Sequence, residues 1–213
     1  MIDSQILAFT GLAALLTISP GADTMLVIRS VLARGRGAGI ATTFGICCGL
    51  FVHATLSAAG LSLIILKSAL AFDMLKLAGA GYLIFLGVQS LRQLSAHPAK
   101  ADAPLQGKAE PSQKTARRAF MEGMLNNLLN PKAAVFYLAF LPQFINPGDP
   151  VLAKSLLLAG IHFVMGIVWL SLVSLFLGKL KNLIVGGSFR RWLEATSGAV
   201  LIGLGVSLAL EKR

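Results

Sequence analysis

The sequence predicts an all-α polytopic membrane protein with six transmembrane helices. They form two inverted three-helix repeats, with helices 1 and 4 broken. Three observations predict this. Uncharged runs such as 37–66 and 155–178 exceed the roughly 20 residues needed to cross a hydrocarbon core of about 30 Å. Hydrophobic residues make up 55% of the chain and charged ones only 13%, a balance far from that of soluble domains. Related motifs also recur in order in the two halves, "SPGA" at 19–22 with "NPKA" at 130–133, and "LIFLGV" at 83–88 with "LIGLGV" at 201–206.

Span 1 is read over 4–28. The opening "MIDSQ" lacks the basic region of a secretory signal, so the first helix is expected to stay in the mature chain. Between Ser4 and Ile28 the one charged side chain is Asp23, just after Pro20 and Gly21. Proline suits the first position of a helix because the N–H it lacks has no partner there anyway. The expectation is therefore a helix broken and restarted, with Ser19 as N-cap, Pro20 as first residue and Gly21 allowing close approach. The restarted end would present free N–H groups and partial positive charge inside the membrane.

Span 2, 38–66, is long for an upright crossing, and Gly45 and Gly49 are expected to let it kink or tilt. It carries His53 and the adjacent Cys47 and Cys48, read as small packing side chains since neighbouring cysteines rarely form a relaxed disulfide. Span 3, 69–91, has Asp73 and Lys76 three residues apart, placed to pair on the helix surface. Gly79, Gly81 and Gly87 here, with Gly198, Gly203 and Gly205 in span 6, are read as close-packing positions between helices.

The stretch 93–118 holds Pro98, Pro104 and Pro111 among alanines and charges. It has little to bury and reads as a flexible cytosolic linker. It divides the chain into a first repeat, 1–92, and a second, 119–213. Span 4, 119–143, contains Asn126 and Asn127, then Asn130, Pro131 and Lys132, a second break in the position of the first. Span 5, 152–178, carries His162, and span 6 is read over 192–210. Corresponding broken helices in inverted repeats, with a site near the midplane, are a common secondary-transporter plan.

A buried Asp or Lys costs roughly 3 kcal/mol or more on insertion scales, so Asp23 and Lys132 need compensation. One acid and one base at two helix breaks match what a zwitterion requires: its ammonium to Asp23, its carboxylate to Lys132 or the free N–H groups. Asp23 as carrier of a coupling proton, Asp23 as a mere helix cap, and Lys132 snorkelling to an interface are the alternatives. Asn126 and Asn127 would hydrogen-bond a substrate or glue helices. His53 and His162 read as a proton relay or as neutral packing residues.

The formal net charge of +10 does not indicate nucleic acid. The basic residues cluster between spans, as with Arg29, Arg34 and Arg36 after span 1 and Arg117 and Arg118 before span 4. The positive-inside rule then places those loops in the cytoplasm and both termini outside.

With these residues in view, the chain resembles the lysine exporter superfamily, specifically its homoserine/threonine efflux branch (LysE/RhtB type). The resemblance runs along most of the chain, through "SPGADTMLV", "GAGIATTFGICCG", "KLAGAGYLIFLGVQSLR" and "FMEGMLNNLLNPKAAVFYLAFLPQF". Ala22 departs from it, standing where many relatives have a second proline. The resemblance implies a multi-pass bacterial inner-membrane exporter of amino acids or their derivatives, driven by an ion gradient, without a cofactor, and often a homodimer. It also implies roles for Asp23 and for Asn130, Pro131 and Lys132. Proton antiport is the expected coupling. The runner-up is an inorganic cation exporter, weakened by having one intramembrane carboxylate where divalent sites gather several oxygens. An intramembrane enzyme or thiol carrier lacks a Ser–His pair in nucleophile context and a spaced cysteine pair.

Overall fold

The computed structural model describes residues 4–19, 21–67, 69–92, 113–146, 148–185 and 188–210. Every regular element among them is helical. In order these are α1 (Ser4–Ile18), α2 (Ala22–Arg34), α3 (Arg36–Lys67), α4 (Ala69–Arg92), α5 (Gln113–Leu128), α6 (Pro131–Val135), α7 (Val151–Val185) and α8 (Ser188–Leu210). Between α6 and α7 the chain continues as a π-helical turn, Phe136–Phe140, and a 3-10 turn, Leu141–Phe144.

Among the described residues two stretches are long and apolar enough to cross a membrane alone, Arg36–Gly60 and Val151–Leu177. α1 and α2, bent by 47° to one another, add a third if taken as one crossing. α4 and α8 have 24 and 23 residues, also the length of a crossing. The stretch expected as span 4 is divided into α5, α6 and the two tighter turns. Pro131 cannot donate to the helix behind it, and Asn130 caps the helix ahead. α7 departs from helical geometry at Phe176 (φ −108°, ψ 21°), where its apolar stretch ends.

α3 lies at the centre, against α2, α5 and α7. Its contact with α5 is backbone to backbone. A Cβ on Gly45 would fall 1.9 Å from the Phe120 carbonyl oxygen, and one on Gly123 of α5 2.2 Å from that of Thr42. Small residues let membrane helices approach in this way. α3 is one continuous helix, and Gly45 and Gly49, expected to let it kink or tilt, are where α5 comes close.

α4 packs against α8 along a second glycine seam. A Cβ on Gly87 would meet Gly198 O at 2.6 Å and Ile202 Cγ1 at 2.6 Å. A Cβ on Gly205 would meet Ala80 O at 2.7 Å and Ile84 Cγ1 at 2.7 Å. Gly81 and Gly203, expected in the same role, face open space. The packing around Gly79 and the side chains of Asp73 and Lys76 lie outside what is described, as do 93–112 of the expected linker, whose residues 113–118 begin α5.

An aromatic cluster forms the larger core. Phe9 of α1 packs on Phe136 and Phe144, with Tyr137, Phe140 and Leu141 around them. Gln5 and Asn146 exchange two amide hydrogen bonds (2.8 and 3.1 Å) at the outer end of this cluster.

Candidate functional site

The site is built where α1 gives way to α2 and α5 gives way to α6. Asp23 lies in the first turn of α2, where the helix dipole favours a negative charge. The cap of α2 is Gly21, not Ser19 as the sequence suggested. Ser19 instead donates its backbone N–H to Leu15 O, closing α1. Pro20 lies outside the described residues. Gly21 is extended at φ −162°, and a Cβ there would sit 3.9 Å from Lys132 Nζ, an ordinary contact. Its place in the cavity wall, rather than a demanded close approach, is what the packing shows.

Asp23 is held by three carboxamides from the other break. Asn126 Nδ2 donates to its Oδ1 at 2.7 Å, and Asn127 Nδ2 and Asn130 Nδ2 donate to its Oδ2 at 3.0 and 3.1 Å. A carboxylate only accepts, so all three amides turn their NH₂ groups toward it. Hydrogen bonds to a charged group contribute roughly 1.5–3 kcal/mol each. Three together offset the roughly 3 kcal/mol penalty of a carboxylate in the membrane. Asn127 and Asn130 are buried, and the Asn127 side chain fits only because Gly49 faces it: a Cβ on Gly49 would stand 2.6 Å from Asn127 Oδ1.

Asn130 has a second task. Its Oδ1 accepts the backbone N–H of Lys132 at 3.0 Å, capping α6 with Pro131 in the first turn. Lys132 then reaches back across the site. Its ammonium donates to the carbonyls of Leu16 (3.2 Å) and Ser19 (3.4 Å), at the end of α1. A helix C-terminus carries partial negative charge and unpartnered carbonyls, which suits a cation. The sequence reading saw helix N-termini at the breaks and assigned Lys132 to a solute carboxylate or to an interface. The structure resolves this: each break has a C-terminus too, and Lys132 serves the one across from it. Among the described residues no ion pair joins Lys132 to Asp23, yet both line one cavity of about 60 Å³.

His162 lines that cavity as well. Its Nδ1 lies 3.1 Å from the Tyr137 hydroxyl, and the rings are near-parallel at 9° with centroids 5.9 Å apart. His53 lies near-parallel to the same tyrosine (16°, 5.9 Å). Its Nε2 is 3.0 Å from Asn127 O, and because a carbonyl only accepts, that nitrogen carries the hydrogen. The two histidines therefore meet through Tyr137. The sequence reading did not single out Tyr137, although a signal existed: it is one of two tyrosines in the chain, and a buried tyrosine hydroxyl needs a partner. Tyr137 belongs to the π-helical turn, and its carbonyl accepts from Ser57 Oγ at 2.7 Å. Such turns recur at functional sites.

Cys47 and Cys48 are free thiols, the first buried beside Gly166 in the cavity wall.

The sequence matches the family described as LysE type translocator over residues 7–212. The chain is 33% identical over 208 residues to the uncharacterized membrane protein YrhP of Bacillus subtilis, covering 97% of this chain and 99% of that one. It is 32% identical over 197 residues to the homoserine/homoserine lactone efflux protein of Salmonella typhimurium, covering 92% of each. It is 30% identical over 198 residues to the threonine efflux protein of Escherichia coli, again covering 92% of each. No solved structure matches the chain significantly.

Proposed function

Because the chain belongs to the LysE type translocator family, we propose that it is a secondary active transporter that exports neutral amino acids or their derivatives from the cytoplasm by proton antiport. The single observation that carries this reading is the pairing of unlike charges at two helix breaks. Asp23 on three amides and Lys132 on two carbonyls share one cavity. The Oδ1 of Asp23 accepts one amide where Oδ2 accepts two, and a carboxylate offers about four acceptor positions. The remaining capacity on Oδ1 is where a solute ammonium or a proton binds, one excluding the other. That exclusion is the elementary requirement of antiport.

At about 60 Å³ the cavity has room for a few waters and not for an amino acid. Admitting a solute therefore requires this wall to widen, with the asparagine amides giving way to it on Asp23.

The contacts between α4 and α8 support two inverted repeats. The sequence match pairs Ile84 with Ile202 and Gly87 with Gly205. The packing obeys the same exchange: Gly87 meets residues 198 and 202, and Gly205 meets residues 80 and 84. Contacts that map onto themselves when the two elements are swapped are those of a two-fold axis. Six crossings, cytoplasmic basic loops, an inner-membrane location and a dimer complete the reading.

The cation-exporter alternative draws little support from this geometry. The amides present NH₂ groups to Asp23, so their oxygens do not join it around a metal. The relatives named for homoserine, homoserine lactone and threonine efflux supply the test. Inside-out vesicles carrying the protein should accumulate one or more of these radiolabelled compounds when acidified inside, and should not accumulate Mn²⁺ or Zn²⁺. The reverse pattern would select the cation reading.

A further inference from the structure

A second, larger cavity of about 630 Å³ opens between α2 and α5 at their basic ends. Its polar wall is Arg29, Ser30, Arg34, Arg118, Glu122 and Asn126. Three guanidinium groups thus stand against one carboxylate. That carboxylate is already engaged: Glu122 accepts from Arg34 and, at 2.9 Å, from Arg118. Arg29 has no hydrogen bond or ion pair among the described residues and is exposed in the groove wall. Ala22 and Asn126 form the inner end, and these flank Asp23: Ala22 precedes it in sequence and Asn126 donates to its Oδ1. The groove therefore ends beside the Asp23 cluster, whose carboxylate lines the small cavity.

We propose that this groove is the cytoplasmic mouth of the transport path and that Arg29 is a first binding site for the carboxylate of the incoming amino acid. The inference rests on the export reading above. A guanidinium presents a rigid fork of donors matched to a carboxylate, and an unpaired one beside an apolar wall is weakly hydrated. The excess of positive charge at the mouth attracts the carboxylate end, while Asp23 at the inner end attracts the ammonium. The groove thus orients a zwitterion amine first, toward the one carboxylate oxygen with spare acceptor capacity. From there the carboxylate passes to Lys132. The volume lies within the roughly 300–1,000 Å³ common for small-molecule sites, so the mouth takes a whole amino acid before the smaller inner cavity widens.

The test compares L-homoserine, which has a carboxylate, with homoserine lactone, which has none, in inside-out vesicles of wild type and Arg29→Gln. The substitution is expected to raise the half-saturating homoserine concentration about tenfold, the loss of one hydrogen-bonded contact to a charge, with the maximal rate retained. Lactone transport should be unchanged, which also reports a correctly folded variant. Unchanged homoserine saturation overturns the proposal, as does an equal loss for both compounds. If the homoserine effect disappears in vesicles made without anionic lipid, the groove holds lipid headgroups and the proposal falls. If wild-type vesicles move neither compound, nor threonine, the export reading itself has failed and the mouth site falls with it.

Discussion

Three side chains more than a hundred residues away turn their amides to Asp23. On the proposed reading this arrangement sets the expected effects. Lys132→Gln removes the cation from the end of α1 while keeping a donor. Efflux of homoserine should fall more than efflux of its lactone, because only the first needs a partner for a carboxylate. Equal losses would mean that Lys132 merely holds α1 in place. Tyr137→Phe keeps both ring contacts and deletes the hydroxyl beside His162. The loss of one buried hydrogen bond should cost about 1 kcal/mol, read as a lower melting temperature in detergent. If His162 passes protons, the pH–rate profile should shift as well. A profile that overlays wild type would leave the two histidines as packing residues. The charges of Asp23 and Lys132 and the asparagines were legible in the sequence as isolated polar groups in apolar runs. Their mutual bonds were not, because nothing in local spacing links position 23 to positions 126–130.

The helices are broken where proline and the caps require, and joined where glycine permits. Near the second proline Asn130 caps α6 and Pro131 opens it, since proline and an Asx cap act within one turn. At the first break the restart fell later than Ser19, at Gly21, whose carbonyl accepts the Met25 N–H as the first bond of α2, while the Ser19 N–H still belongs to the last turn of α1. The glycines separate along similar lines. Composition marks them all as small, but only the facing backbone decides which are needed. Gly45, Gly123, Gly87 and Gly205 have a neighbouring atom within 3 Å of where a Cβ would stand, whereas Gly60 and Gly203 have none within 4 Å. Gly123→Val should therefore sharply lower the amount of folded protein in membranes by forcing α5 off α3. Gly60→Ala should match or exceed wild type, since alanine has about 1 kcal/mol better helix propensity than glycine. Equal yields of the two variants would contradict the packing described.

At the scale of the whole molecule, α4 and α8 meet in a glycine seam, and residues from either side of 93–112 line one cavity. The membrane class was legible because hydropathy survives without structure, and motif order is what suggests the proposed repeat. The size of the cavity was not legible, since it depends on how near the helices stand. We propose that the basic loops face the cytoplasm. Reporter fusions after residue 105 and after Leu210 should report opposite compartments, and the same compartment for both would overturn the six-crossing reading. The central claim is that the charge of Asp23 couples solute to proton. It is tested most directly by proton-driven homoserine and threonine transport in vesicles carrying wild type or Asp23→Asn at equal membrane levels. Asparagine keeps the size and should insert at least as well, so the account predicts normal insertion with transport reduced at least about tenfold, equivalent to roughly 1.4 kcal/mol on the barrier. Wild-type transport rates in well-inserted Asp23→Asn protein would reduce the carboxylate to a helix cap and contradict the account.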